Sequence, residues 1–158
     1  MKKVLTRSAL TFALLLGAGV FFSGCCSAPT CAQTTEAREP AITGTTWKLR
    51  LNTLSGYRKT MEKPERDITF RIEKSGMVSG CAGLNRYFGP AVLDPSKKML
   101  KFGSGLGATK MAGRGMVCEN TYLQMLPHVE TYEIRGTVLR FLDKDGKELA
   151  IFDLSNEL

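Results

Sequence analysis

Residues 75–89 read SGMVSGCAGLNRYFG. Four glycines and two serines surround Cys81, Asn85, Arg86, Tyr87 and Phe88. Regular strands avoid this much glycine, which loses the most backbone freedom on ordering and has no side chain to pack. Flexible linkers avoid exposing Tyr and Phe to water. The stretch therefore reads as an ordered, sharply turned segment, entered by a strand over 77–81 and left by another over 87–93. Asn85 is the non-glycine residue here that best tolerates positive φ. Arg86 offers a rigid fork of donors. Together they read as a structural turn with Arg86 bonded internally, rather than as a binding loop, because ordered glycine turns are common apart from function.

Working outward, Ile68, Phe70 and Ile72 alternate with Thr69, Arg71 and Glu73, which is the period of a strand with one buried face. Ser75-Gly76 folds that strand back onto 77–81 as a hairpin. Trp47, Leu49 and Leu51 show the same alternation, and a polar loop over 55–65 joins the two strands. Further strands are expected at 99–102, 131–135, 138–142 and from Leu149, with Asp145-Gly146 as a hairpin turn. A second glycine-rich segment, 103–115, lacks the G-x-x-x-x-G-K-[ST] phosphate-loop spacing, so Lys110 and Arg114 read as solvated charges. One helix is expected over 116–126, with Cys118, Tyr122, Met125 and Leu126 as its apolar stripe. Glu119 in its first turn would complement the helix dipole, and Pro127 would end it. These elements predict an α+β fold: a strongly curved antiparallel sheet or partial barrel with one packed helix.

The N-terminal part has a different character. Lys2, Lys3 and Arg7 precede a short apolar run over 8–22, and Ser23-Gly24-Cys25 follows: the pattern of a signal peptide over 1–24. The apolar run falls short of the ~20 residues a membrane-spanning helix needs. Residues 25–43, rich in Ser, Thr, Ala and Pro, read as a tether, with the folded domain over 44–158. Phe22-Ser23-Gly24-Cys25 resembles a bacterial lipoprotein box, with Phe22 where Leu is usual. That resemblance implies acylation of Cys25 and a membrane anchor of several chains. Cleavage after Ala32 is the competing reading, and places the cut far from the apolar core. Cys26 following the lipidated residue, rather than Asp, suggests by the same resemblance the outer membrane, facing the periplasm, if the cell has two membranes.

The formal charge is +7 from 22 basic and 15 acidic residues. Without Lys2, Lys3 and Arg7 it becomes 19 − 15 = +4, with the basic residues scattered. Nucleic acid is not an expected partner. Cys26, Cys31, Cys81 and Cys118 remain if Cys25 is acylated; four cysteines allow three pairings, and pairing within tether and within domain is the simplest. No cysteines have zinc-type spacing and His128 is the only histidine, so neither a metal nor a cofactor is expected.

The run SGCAGLNRYFG, the TKMA at 109–112 and the terminal ETYEIRGTVLRFLDKDGKELAIF resemble the META/HslJ domain over about 45–152. That family typically shows G-C-N-x-[YF]-x-[GA], [ST]-[RK]-M-A-C and a D-G-x-x-L hairpin. Here Leu84 stands where a cysteine often precedes the Asn, and Gly113 where a cysteine follows Met-Ala. If the family's two cysteines pair, this chain has moved both ends, and the resemblance then supports a Cys81–Cys118 bridge. It also implies a curved sheet like that of small pilot lipoproteins, a cell-envelope location, and in some members links to heat shock and novobiocin tolerance. It implies no catalytic residues.

Function is accordingly expected to be non-enzymatic: a monomeric envelope lipoprotein acting in assembly or stress tolerance through a protein partner. The alternative is a module that binds an acyl chain, hydrophobic ligand or peptide among Phe70, Leu100 and Phe102. Nucleophilic catalysis by Cys81 is disfavoured, because it needs a base and His128 lies in another element.

Overall fold

The computed structural model describes residues 40–155. The expectations for the signal peptide, Cys25, Cys26 and Cys31 lie outside those residues. Nine strands and one α-helix are described: β1 (Thr46–Leu49), β2 (Thr69–Ile72), β3 (Met77–Cys81), β4 (Arg86–Asp94), β5 (Met99–Phe102), β6 (Gly107–Ala108), α1 (Met116–Met125), β7 (Thr131–Arg135), β8 (Val138–Leu142) and β9 (Glu148–Leu154). All strand pairings are antiparallel, in the order β3-β2-β1-β9-β8-β7-β5-β4-β6. A further β3–β4 pairing joins the two ends, so the pairings run in a ring with β6 attached to the side of β4. This is the α+β arrangement expected from the alternating apolar pattern.

The ring is thinnest between β5 and β7, which share the single register pair Met99–Thr131. Backbone bonds from Leu100 to Glu130 (3.0 Å) and from Tyr132 to Lys98 (2.9 Å) hold that seam. The connection from β6 to β7 leaves the sheet here and forms α1 and a 3-10 turn, Leu126–His128, which contacts β5. Cys118, Tyr122, Met125 and Leu126 point into the core, as their spacing requires.

Inside the ring Phe70 meets Phe141 edge-on at 5.0 Å and Phe102 at 6.0 Å, and Phe141 meets Phe152 at 4.7 Å. The two edge-on pairs of Phe70 add about 0.5–1.5 kcal/mol each beyond burial, and the Phe141–Phe152 pair is tilted. Trp47, Ile72, Leu100 and Leu139 are fully buried around them. The space that the alternative reading assigns to a ligand among Phe70, Leu100 and Phe102 is thus packed by side chains.

Two boundaries differ from expectation. The first strand ends at Leu49 rather than reaching Leu51: the N–H and Oγ1 of Thr53 both bond the Arg50 carbonyl (2.9 and 2.7 Å), closing a 3-10 turn over Leu51–Thr53. The domain also starts before residue 44. Ile42 is buried in the core, Thr43 bridges Ile72 in parallel, and the Gly44 N–H donates to the Ile72 carbonyl at 2.8 Å.

Pro90 lies mid-strand, where a missing N–H would normally break a ladder. Its carbonyl accepts from Gly103, so its nitrogen faces the Gly103–Leu106 break between β5 and β6, where no ladder partner waits. The strand therefore runs through the proline unbroken.

Candidate functional site

The opening glycine-rich stretch becomes the β3–turn–β4 hairpin. The turn is held from outside, by two segments distant in sequence. Asn85 is 2 % exposed and uses its whole amide. Its Nδ2 donates to the Met111 carbonyl (3.0 Å) and to Oε1 of Glu119 (2.8 Å). Its Oδ1 accepts from the Thr109 hydroxyl (2.8 Å) and the Met111 N–H (2.7 Å). An amide offers two N–H donors and one carbonyl with two lone pairs, so nothing is left over.

Glu119, 5 % exposed, completes the knot. Its Oε2 accepts the backbone N–H groups of Leu84 (3.1 Å) and Asn85 (2.7 Å). With the Asn85 amide that makes three N–H donors on one buried carboxylate, and among the described residues no Lys or Arg forms an ion pair with it. Glu119 stands in the first turn of α1, as expected, and its side chain turns inward because the unpaired N–H groups of the β3–β4 turn lie there.

Arg86 also departs from expectation. It is exposed, and its guanidinium makes no hydrogen bond or ion pair among the described residues. The strand alternation sends Tyr87 inward and Arg86 outward. Only the Arg86 backbone ties the turn, its N–H bonding Thr109 Oγ1 (3.1 Å) and its carbonyl accepting from the Thr109 N–H (3.0 Å).

The expected Cys81–Cys118 bridge is not formed; both residues are free thiols. Cys118 lies on the buried face of α1, where burial pushes its thiol pKa up. Cys81 is half-buried at the end of β3, beside a hollow of about 410 Å³ that Arg86 and Phe88 also line. The link from turn to helix that a disulfide would supply is made by the neighbouring residue, Glu119. Under native, non-reducing conditions, iodoacetamide is expected to label Cys81 and to spare Cys118 until the chain unfolds; peptide mapping reads this directly. A need for reductant before Cys81 labels would show instead that the bridge forms in the cell.

Behind the turn, the Tyr87 hydroxyl bonds the Tyr122 hydroxyl at 2.8 Å and donates to the Thr69 carbonyl at 3.0 Å. Burial raises both phenol pKa values far above the ordinary one, so the pair stays neutral and structural. Gly115 caps α1 in the left-handed region (φ 80°), and a Cβ there would meet Pro64 Cα at 2.5 Å. The loop before β2 is thereby pressed onto the helix start, where Glu62 pairs with Arg114 at 2.7 Å. Hydrogen bonding to Arg114 holds the Glu62 carboxyl below its usual range. Arg114 and Lys110 are both exposed, solvated charges, and Arg114 has Glu62 as a surface partner.

A groove of about 410 Å³ opens between residues 108–112 and α1, with Met111, Met116, Asn120 and Leu123 in its walls. Asn85 and Glu119 also border it. His128 lies elsewhere, in a shallow cleft with Ser55 and Gln124.

The segments that Asn85 ties together are the ones that carry the family pattern, and the META domain profile matches residues 40–156. The chain belongs to the META domain family. No curated protein matches it. Among solved structures, it is similar to an NMR structure of a protein from Burkholderia xenovorans, at 25% identity and TM-score 0.51, covering 73% of this chain and 85% of that one. A second protein structure, solved by NMR, matches at 18% identity and TM-score 0.51, over 72% of this chain and 91% of that one. A DUF4847 family protein from Bacteroides vulgatus matches at 11% identity and TM-score 0.49, over 74% and 96%. In META domain terms, the Asn of the turn and the Thr-Lys-Met-Ala segment are one hydrogen-bonded unit in this chain.

Proposed function

We propose that this META domain protein is a non-enzymatic lipoprotein of the cell envelope, which works as a monomer by contacting a protein partner in envelope assembly or stress tolerance. The anchor is an acylated Cys25, and the membrane is the outer one, facing the periplasm, in a cell with two. One observation carries the reading: the polar residues of the family pattern saturate one another. Asn85 and Glu119 spend their hydrogen-bonding groups on the turn, on Met111 and on Thr109. What the unit presents outward is an apolar groove rather than an activated nucleophile beside a base. The lipoprotein-box resemblance of Phe22 to Cys25 supports the location. A ligand among Phe70, Leu100 and Phe102 loses support, because those rings and chains pack against the core.

The test is metabolic labelling with palmitate, followed by membrane fractionation of the parent chain and of Cys25→Ala. Label and membrane residence in the parent, both lost in Cys25→Ala, are expected. A chain that is unlabelled and released into the soluble fraction would overturn the anchor and the location with it.

A further inference from the structure

We propose that the hollow at the end of the ring where the chain enters from Cys25 takes the phosphate of an anionic phospholipid headgroup, and that this end of the domain thereby sits on the membrane surface. The proposal rests on the lipoprotein reading above, and adds which face meets the membrane and by what chemistry.

The strand registers fix what stands at this end. Thr43 bridges Ile72, so the entering chain lies beside the end of β2. Antiparallel pairing then brings the start of β3, the end of β4 and the start of β5 to the same end, with β7 running past it. There residues 40–43, Pro95, Lys98, Tyr132 and Ile134 line a hollow of about 260 Å³. Pro40 follows Cys25 by 15 positions (40 − 25). A stretch of that length spans at most about 50 Å even when fully extended. An acyl anchor at Cys25 therefore keeps the hollow close to the bilayer, at a high effective concentration of headgroups.

Two groups that line the hollow lack partners. Tyr132 is 6 % exposed, and its hydroxyl makes no hydrogen bond among the described residues. A buried donor without an acceptor costs free energy that a ligand oxygen would restore. Burial, with Asp94 nearby, raises the phenol pKa, so the hydroxyl keeps its proton and is able to donate. Lys98 is exposed and forms no ion pair among the described residues. The Tyr132 N–H bonds the Lys98 carbonyl at 2.9 Å, which holds the two residues side by side. A hydroxyl donor beside an ammonium suits a phosphate oxygen, whereas an acyl chain would leave both unsatisfied.

The surrounding charge favours an anion. Asp94 is spent on its own turn: Oδ1 accepts the Ser96 N–H and hydroxyl (3.0 and 2.6 Å), and Oδ2 pairs with Lys97 at 3.5 Å. At the same end Glu73 pairs with Arg71 and Asp153 with Arg50. Lys74 and Lys98 are left as exposed cations without ion pairs among the described residues. Each such lysine near an anionic surface strengthens attachment about fivefold. Met77 and Val92, exposed beside them, supply apolar surface for the headgroup region to cover.

The experiment places the acylated protein in nanodiscs of phosphatidylcholine, with or without phosphatidylglycerol, that carry a trace of gadolinium-headgroup lipid, and reads amide broadening by NMR. With phosphatidylglycerol, broadening is expected to concentrate on 73–77 and 92–98 and to spare the opposite turn, 143–147. Without it, or at high salt, the contrast between the two ends should fall at least about threefold, because the attraction is removed or screened. Lys98→Gln should lower the docked-to-free ratio about fivefold. Tyr132→Phe keeps the ring and deletes only the hydroxyl. It should lower that ratio about two- to fivefold with unchanged melting, since no bond within the domain is lost. Broadening spread evenly over the domain, centred on another face, or indifferent to headgroup charge would each overturn the proposal, as would undiminished docking of Tyr132→Phe. Inorganic phosphate that shifts the Tyr132 and Lys98 signals while docking fails would assign the hollow to a soluble anion and overturn the membrane contact. A palmitate-labelled chain that does not dock would sink this inference alone; a chain that takes no palmitate would sink the lipoprotein reading and this inference with it.

Discussion

Asn85→Ala is expected to lower the stability of the domain by about 3–5 kcal/mol, reducing its thermal midpoint by on the order of 10–20 °C. The substitution removes four side-chain hydrogen bonds at once, one of them to a carboxylate. It also strands their partners: the Met111 N–H and carbonyl lose the amide that faced them, and Glu119 keeps two donors instead of three. Unpaired buried groups cost more than the net value of the bonds they lost. Urea denaturation measures the loss. Asn85→Asp separates geometry from charge. The introduced carboxylate would stand where Nδ2 now faces Glu119 Oε1 at 2.8 Å and the Met111 carbonyl at 3.0 Å, so acceptor would meet acceptor. Burial and the adjacent carboxylate raise the folded-state pKa of the new group above its unfolded value. For an acid raised in this way, the folded state holds the extra proton, so stability should recover as pH falls through the folded-state pKa and be lowest above it. A full loss of partner binding with unchanged melting in Asn85→Ala would instead return this stretch to the role of a binding loop.

Glu119→Gln sharpens the point. The glutamine amide must place an NH2 where one of two acceptor oxygens now stands. Facing Asn85, it sets donor against donor; facing the turn, it meets the N–H groups of Leu84 and Asn85. Flipping Asn85 gives no relief, because its Oδ1 is already committed to Thr109 and Met111. The arrangement accepts one orientation of one amide against one carboxylate, which explains how a turn so rich in glycine is held in a single shape.

The strands were legible because their signal is local. Phe70 and Ile72 alternate with Thr69 and Arg71 within a few residues, and both are fully buried. The helix could be placed from the spacing of Cys118, Tyr122 and Met125, which all face the core. The closure of the ring was legible only as curvature, since the β1–β9 and β5–β7 pairings join residues far apart in the chain. Glu119 was visible as an acidic residue in a first turn, but its partners lie 34 and 35 positions earlier. No periodicity encodes which way such a side chain turns. The Asn of the turn and the Thr-Lys-Met-Ala run are both visible in the sequence, and only coordinates show that one side chain binds the other segment's backbone. The groove was not legible, because β6 is two residues long and sits inside a run that reads as loop.

Gly80→Ala should be as damaging as the loss of Asn85, for a steric reason. A Cβ on Gly80 would stand 2.1 Å from the Thr69 carbonyl oxygen and 2.8 Å from Cε1 of Tyr87. The first neighbour is backbone, so it moves only if β2 moves. Here the β2–β3 ladder has already given way to side-chain bonding: the Cys81 N–H donates to the Thr69 hydroxyl at 3.0 Å. The Thr69 carbonyl is meanwhile held by the Tyr87 hydroxyl, itself bonded to Tyr122. One added methyl group therefore displaces a carbonyl, a buried phenol and the phenol behind it. Overpacking typically costs about 1–3 kcal/mol; with two buried hydroxyls unseated as well, about 3–5 kcal/mol is expected from urea denaturation. A double-mutant cycle isolates the cause. Tyr87→Phe alone removes the bonds to Thr69 and Tyr122, and should cost about 1–2 kcal/mol. In the Gly80→Ala background those bonds are already broken, so Tyr87→Phe should cost much less there, and the two changes should fall short of additivity by about 1 kcal/mol. Strict additivity would mean that the methyl group is accommodated by a shift of β3 alone, leaving the tyrosine pair intact, and the close approach of β2 would then not be what requires glycine at this position.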